Sequence, residues 1–187
     1  MDPIAEAFVK TPRDAFLHVE EQDYADLDAP LSIGYGQTNS QPTTVRMMLE
    51  WLDVKPGQKV LDVGSGSGWT TALLACLVGP KGRVVAVEKV PELVKFGETN
   101  VKKLGRNNIS FHVAKSGVFG WPDDAPFDRI LVSAAPDQLP DELLDQLKLG
   151  GKMVIPVKTT MLVLEKTPDG RIKREAYPGF SFVPLVR

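Results

Sequence analysis

The sequence has 187 residues, 43% hydrophobic and 25% charged, which suits one globular domain able to bury about 70% of its unfolded surface without a disulfide or metal staple. One cysteine and two histidines exclude a disulfide framework and argue against structural zinc. A net charge of −2, a start without basic and apolar signal regions, and no apolar run near the ~20 residues that span a bilayer exclude a strongly basic nucleic-acid binder, a secretory leader and a membrane helix.

Taken in chain order, the first 50 residues are broken by Pro12, Pro30 and Pro42, and residues 34–41 read as a structured loop. Val60-Leu61-Asp62-Val63 is a strand that ends abruptly in Gly64-Ser65-Gly66-Ser67-Gly68. Trp69 to Val78 reads as a buried helix closed by Gly79-Pro80, with Cys76 packed inside its apolar run. Arg83 to Glu88 is the next strand, and Pro91 opens a helix whose apolar positions recur with helical spacing up to Gly105. Lys95, Lys102, Lys103 and Arg106 lie toward the end of that helix, where cations complement the dipole, so they read as a solvated face. Ile109, Phe111 and Val113 alternate as a strand, with His112 on the opposite side; Ile130 to Val132 is a short apolar strand. Pro140 to Leu149 reads as a helix halted by Gly150-Gly151, residues 153–157 and 161–164 as two strands, and Phe180 to Val186 as a final one.

Strand and helix alternate from residue 59 to about 157, the signature of a parallel sheet covered on both faces. The expected architecture is a Rossmann-like, doubly wound α/β fold in three α/β/α layers. It is read as one domain: an N-terminal annex (1–50), a cofactor-binding core (51–157) and C-terminal strands (158–187).

The glycine loop stands where ligands bind in such sheets, beyond the carboxyl end of a strand. Its three alternate glycines admit a closely approaching ligand, and the following helix aims free N–H groups at it. A phosphate-binding loop needs Gly-Lys-Ser/Thr, and the dinucleotide fingerprint needs a glycine at position 69; Trp69 stands against both. Glu88, closing the next strand, is placed to accept the hydroxyls of a ribose. The glycine turn can take the carboxylate of S-adenosylmethionine and Asp62 its ammonium, directly or through water. These residues together point to that cofactor rather than to a tight turn with two solvated acids.

VLDVGSGSGWTTALLA (60–75) resembles the first motif of class I methyltransferases, and the chain resembles the protein-L-isoaspartate O-methyltransferases in particular. TPRDAF (11–16), GYGQTNSQP (34–42), FDRILVSAAP (127–136), GGKMVIPV (150–157) and FVPL (182–185) occur in matching order. The resemblance implies a seven-stranded, mostly parallel sheet with an antiparallel C-terminal strand. It also implies methyl transfer to the free carboxylate of L-isoaspartyl residues in damaged proteins; separately, the lack of signal and membrane segments gives the expectation of a cytoplasmic protein, and a monomer is expected. Thr38 and Ser40 would border the transferred methyl. Gln37, Thr38, Ser40, Asp62, Gly64, Ser65, Gly66, Gly68, Glu88, Lys89, Ser116 and Gly117 would hold the cofactor, with no metal.

The residues alone leave alternatives. Ser40 stands two positions before Pro42, where it also fits a turn or helix cap. Trp51, Trp69 and Trp121 read as packing residues, His112 as a structural histidine, and His18 has no assigned partner, while Asp137 fits either a substrate contact or a turn acid before Pro140. Ser133-Ala134-Ala135-Pro136 stands where base methylases carry Asn-Pro-Pro-Tyr, which argues against a nucleobase acceptor. Another carboxylate, a small molecule, or a cofactor-binding relic without turnover stays open. Five positions depart from the family's pattern. Lys115-Ser116-Gly117 replaces Gly-Asp-Gly, Asn39 replaces an apolar residue, Lys158 stands where glycine is usual, and Thr160 where glutamine often stands.

Overall fold

The computed structural model describes residues 2–105 and 107–186; Arg106, read with the basic helix end, lies outside them. In chain order the elements are α1 (Pro3–Lys10), a 3-10 turn (Arg13–Phe16), α2 (Val19–Gln22), β1 (Leu31–Gly34), β2 (Gln37–Asn39), α3 (Pro42–Leu52), β3 (Lys59–Val63), α4 (Trp69–Val78), β4 (Arg83–Glu88), α5 (Pro91–Lys103) and β5 (Ile109–Val113). A second 3-10 turn (Pro122–Asp124) leads to β6 (Phe127–Val132), α6 (Asp141–Asp145), β7 (Leu147–Val157), β8 (Thr160–Lys166) and β9 (Ile172–Pro178).

Seven strands form one sheet in the order β5-β4-β3-β6-β7-β8-β9, and β1 pairs with β2 in a separate hairpin. The first five of the seven are parallel; β8 runs antiparallel to β7, and β9 antiparallel to β8. The expected mostly parallel sheet is therefore present, with the reversed strand second from the edge. The chain winds outward from β3 through β4 to β5, then returns to place β6 on the other side of β3. That reversal opens a crevice above the carboxyl ends of β3 and β6, where parallel α/β sheets bind ligands.

The pleat sorts side chains onto two faces. Val60, Val84, Leu131 and Val154 pack beneath α3, α4 and the apolar side of α1. Leu61, Val63, Val85, Val87, Ile130 and Val132 pack on the other face with Leu143, Phe127 and Leu147. Helix α4 is apolar on nearly every side because all its residues but Cys76 and Leu77, which are half-buried, are buried. Helix α3 buries Val45, Met48, Leu49 and Leu52 as a single stripe. The second face has a thinner cover, with α6 as its one short α-helix among the described residues.

Two expectations need correction. The helix expected over 140–149 covers only Asp141–Asp145. At Gln146 the carbonyl accepts the Phe127 N–H and the side chain bonds Trp121, Phe119 and Glu142, which draws the backbone out of the helix and into the sheet. The last strand is Ile172–Pro178, not Phe180–Val186. Its exposed, charged residues carry no burial pattern to read; pairing with β8 across the Pro168–Gly170 turn makes it a strand, and its charges suit a sheet edge. Residues 180–186 keep one bridge, Ala135 to Pro184.

Candidate functional site

The site begins where β3 runs out. The N–H groups of Gly64 and Ser65 both donate to the Val87 carbonyl, at 2.8 and 3.2 Å, so the loop turns across the end of β4. Gly66 sits at φ +52 and donates its N–H to Glu88 Oε2 at 2.9 Å. Gly68, at φ +87, caps α4; a Cβ there would stand 3.1 Å from the Gly97 Cα, so this glycine lets α4 and α5 approach. Glu88 also accepts the N–H groups of Lys89 and Val90 at 2.7 and 3.0 Å. The acid expected to meet a ribose therefore also fixes the loop around it.

Asp62 shares the Val60 side of β3, beneath the first turn of α4. Its Oδ2 accepts the Thr70 and Thr71 hydroxyls at 3.0 and 2.6 Å, while Oδ1 is buried without a partner. Burial is the main cause that pushes this carboxyl up to about 6, with the Thr71 and Thr70 hydroxyls opposing and the Glu88 charge adding to the rise. The Ser65 hydroxyl is likewise buried and unpartnered. The unpartnered Ser65 hydroxyl, beside a glycine loop and a helix start, is what a polar ligand would complete.

Facing this loop is the segment after the β1–β2 hairpin. Gln41, not Ser40, caps α3, which removes the capping role for Ser40. Arg13 anchors the segment from below. Its guanidinium donates to the carbonyls of Ala25, Leu27, Ala29, Asn39 and Ser40 and to Asn39 Oδ1. The third side comes from the chain's last described residues: Val183 accepts the Ala135 N–H at 2.8 Å, and Leu185 donates back to the Ala135 carbonyl at 2.9 Å.

Between these walls lies a cleft of about 940 Å³ when the solvent space at its open mouth is counted. Gln37, Thr38, Ser40, Gly64, Ser65, Gly66, Glu88 and Lys89 line it as expected. Asp62 and Gly68 stand behind the wall. Ser116 and Gly117 are exposed and outside the cleft. The Lys115–Val118 turn carries them away, with Lys115 Nζ 2.5 Å from Asp123 and over the Trp121 ring. Ala114, Val118, Phe119 and Gly120 form the wall there instead. Sequence reasoning missed Ser133, Ala134 and Val183 to Val186 as lining residues; the FVPL and SAAP segments were their only signal. A second, more open cleft adjoins and shares Thr38, Ser40, Ser133 and Val183 with the first. The Ser133 hydroxyl is buried and unpartnered at this junction.

The remaining candidates are structural. His18 donates a ring N–H to the Ile33 carbonyl and stacks on Phe96. His112 stacks on Trp121, and burial chiefly holds its pKa below the usual imidazole range. Trp51 stacks on Tyr177. Trp69, which also touches the cleft, donates to the Thr11 carbonyl and meets Phe8 edge-on. Asp137 is exposed and away from both clefts.

Known proteins share this arrangement. The model of the protein-L-isoaspartate(D-aspartate) O-methyltransferase family matches residues 1–187. The protein-L-isoaspartate O-methyltransferase of Methanopyrus kandleri is 48% identical, covering 98% of this chain and 83% of its own length. Its Aeropyrum pernix namesake is 46% identical, covering 98% and 72%. A solved protein-L-isoaspartate O-methyltransferase superposes with a TM-score of 0.90 at 30% identity, over 100% of this chain and 62% of that one. A Plasmodium falciparum protein assigned to the same activity, in complex with S-adenosyl-L-homocysteine, superposes with a TM-score of 0.83 at 27% identity, over 100% and 91%. With the glycine loop, the Thr-x-Ser segment and the closing C-terminal residues gathered around one cleft, and the family's model matched from end to end, the chain belongs to the protein-L-isoaspartate(D-aspartate) O-methyltransferase family.

Proposed function

We propose that the chain methylates the free carboxylate of L-isoaspartyl residues in damaged proteins, with S-adenosylmethionine as donor. The observation that carries this reading is the meeting of two clefts at Thr38, Ser40 and Ser133. The first would hold the donor: the Ser65 hydroxyl and the loop's carbonyls would meet its polar end, and Glu88, beyond its three backbone bonds, keeps acceptor capacity for a ribose hydroxyl. S-adenosylmethionine supplies a methyl group already activated by its sulfonium charge.

The protein therefore needs no general base. A carboxylic acid with a pKa near 4 is ionised at pH 7 without help. What remains is placement of the carboxylate oxygen in line with the methyl group, within about 3–3.5 Å. The hydroxyls of Ser40 and Ser133 would orient it by donating hydrogen bonds, while the apolar Val183 wall excludes water. A single cysteine fits a reducing cytoplasm.

Labelled methyl transfer to an isoaspartyl peptide, with its aspartyl isomer as control, tests the reading. Label on the isoaspartyl peptide alone is expected; equal labelling of both, or of neither, refutes it. Ser40→Ala is expected to lower kcat by about tenfold or more, the loss of one charge-assisted hydrogen bond.

A further inference from the structure

Asn39 lies between Thr38 and Ser40, the two residues shared by the clefts, yet its own side chain is 4% exposed. It borders the first cleft but not the second, and joins two buried groups. Its Oδ1 accepts from Arg13 Nε at 2.8 Å, and its Nδ2 donates to Ser67 Oγ at 3.2 Å. The amide's orientation is dictated, because Arg13 Nε can only donate. Ser67 in turn belongs to the glycine loop, is 2% exposed, and has its carbonyl held by Asn100 Nδ2 at 3.1 Å. One buried amide thus spans from the arginine that anchors the acceptor-side segment to the loop that forms the donor side.

The sequence makes this join specific. The resemblance places an apolar residue at position 39, and an apolar side chain would leave both Arg13 Nε and Ser67 Oγ without this partner. Hydrogen bonds between buried groups resist sliding because neither end finds water when displaced. Whatever fixes the Gly64–Gly68 backbone also fixes Ser67, then the Asn39 amide, and through it the backbone on which Thr38 and Ser40 stand.

We propose that Asn39 is a positioning residue that couples donor binding to acceptor binding, and the idea rests on the methyl-transfer reading given above. Donor occupancy tightens acceptor binding and, by reciprocity, the acceptor tightens the donor. Calorimetry measures it directly, as the ratio of the isoaspartyl peptide's Kd without and with saturating S-adenosylhomocysteine. In the unaltered protein the ratio is expected to be about five or more, the lower range of allosteric couplings. In Asn39→Leu it is expected to fall below about two. Ser67→Ala cuts the same join from its other end while leaving the Arg13–Asn39 pair in place, and gives the same loss even if the leucine variant does not fold. A purely structural role would change stability and both Kd values together, leaving the ratio intact. An undiminished ratio in a folded variant, or a ratio of one in the unaltered protein, overturns the proposal. Absence of any isoaspartyl peptide binding by the unaltered protein instead overturns the functional reading beneath it, and the coupling with it.

Discussion

Asp62→Asn is expected to stabilise the protein at neutral pH and to lose that advantage in acid. The carboxyl is fully buried, with one oxygen accepting two hydroxyls and the other unpartnered. Its pKa rises from 3.8 to about 6, with burial the first cause, a difference of about 3 kcal/mol between its protonated and ionised forms. The sign follows from proton binding: between pH 3.8 and 6 the folded state holds this proton and the unfolded chain does not. Stability from this group is full below pH 3.8, declines as pH rises to 6, and stays low above it. Asparagine fills the same space without titrating. Other ionisable groups act equally in both proteins, so the variant's advantage in unfolding free energy should grow by about 2.5 kcal/mol between pH 4 and pH 7. Urea unfolding at four pH values measures it by linear extrapolation. A difference between variant and parent that does not change with pH would refute the reasoning.

Glu88→Gln turns an acceptor of three backbone N–H groups into one whose amide end repels them, so S-adenosylhomocysteine affinity by calorimetry should fall at least about tenfold. Gly68→Ala must place a Cβ at φ +87, 3.1 Å from the Gly97 Cα, and should cost about 2–3 kcal/mol in chemical unfolding. Lys158→Gly should act in the opposite direction. Lys158 turns from β7 into β8 at φ +53, and relieving that left-handed conformation is expected to add up to about 1 kcal/mol and raise the melting temperature.

The glycine loop and its two acids are legible in the sequence because each signal is local: a strand ends, glycines follow, and the next strand closes on an acid. The central strands are legible because burial on both faces leaves near-continuous apolar runs in β3, β4 and β6. Lys158 shows how a departure from pattern acquires a cause, since the usual glycine there answers a left-handed turn. What escapes the sequence depends on distant partners. Lys-Arg-Glu-Ala-Tyr in β9 is a strand through its neighbour's register, not its own periodicity. Ser116 is well placed by counting from β5, but it lies in a turn closed by the bond from Val118 N–H to the Lys115 carbonyl, exposed and outside the cleft lining. Asn39 reads in sequence as a mere deviation, because its two partners lie 26 residues before it and 28 after it.

The hydrogen bonds between Ala135 and residues 183 and 185 have a consequence during synthesis. The sheet from β3 to β7 is assembled from residues 59–157, and the glycine loop with it. The wall supplied by Val183, Pro184 and Leu185 is translated afterwards, and until it leaves the ribosome the crevice has an open flank through which water enters. A nascent chain can thus be largely folded and still unable to shelter the reacting groups. Methyl transfer would switch on only once residues 183–185 have docked on Ala135 and closed that flank.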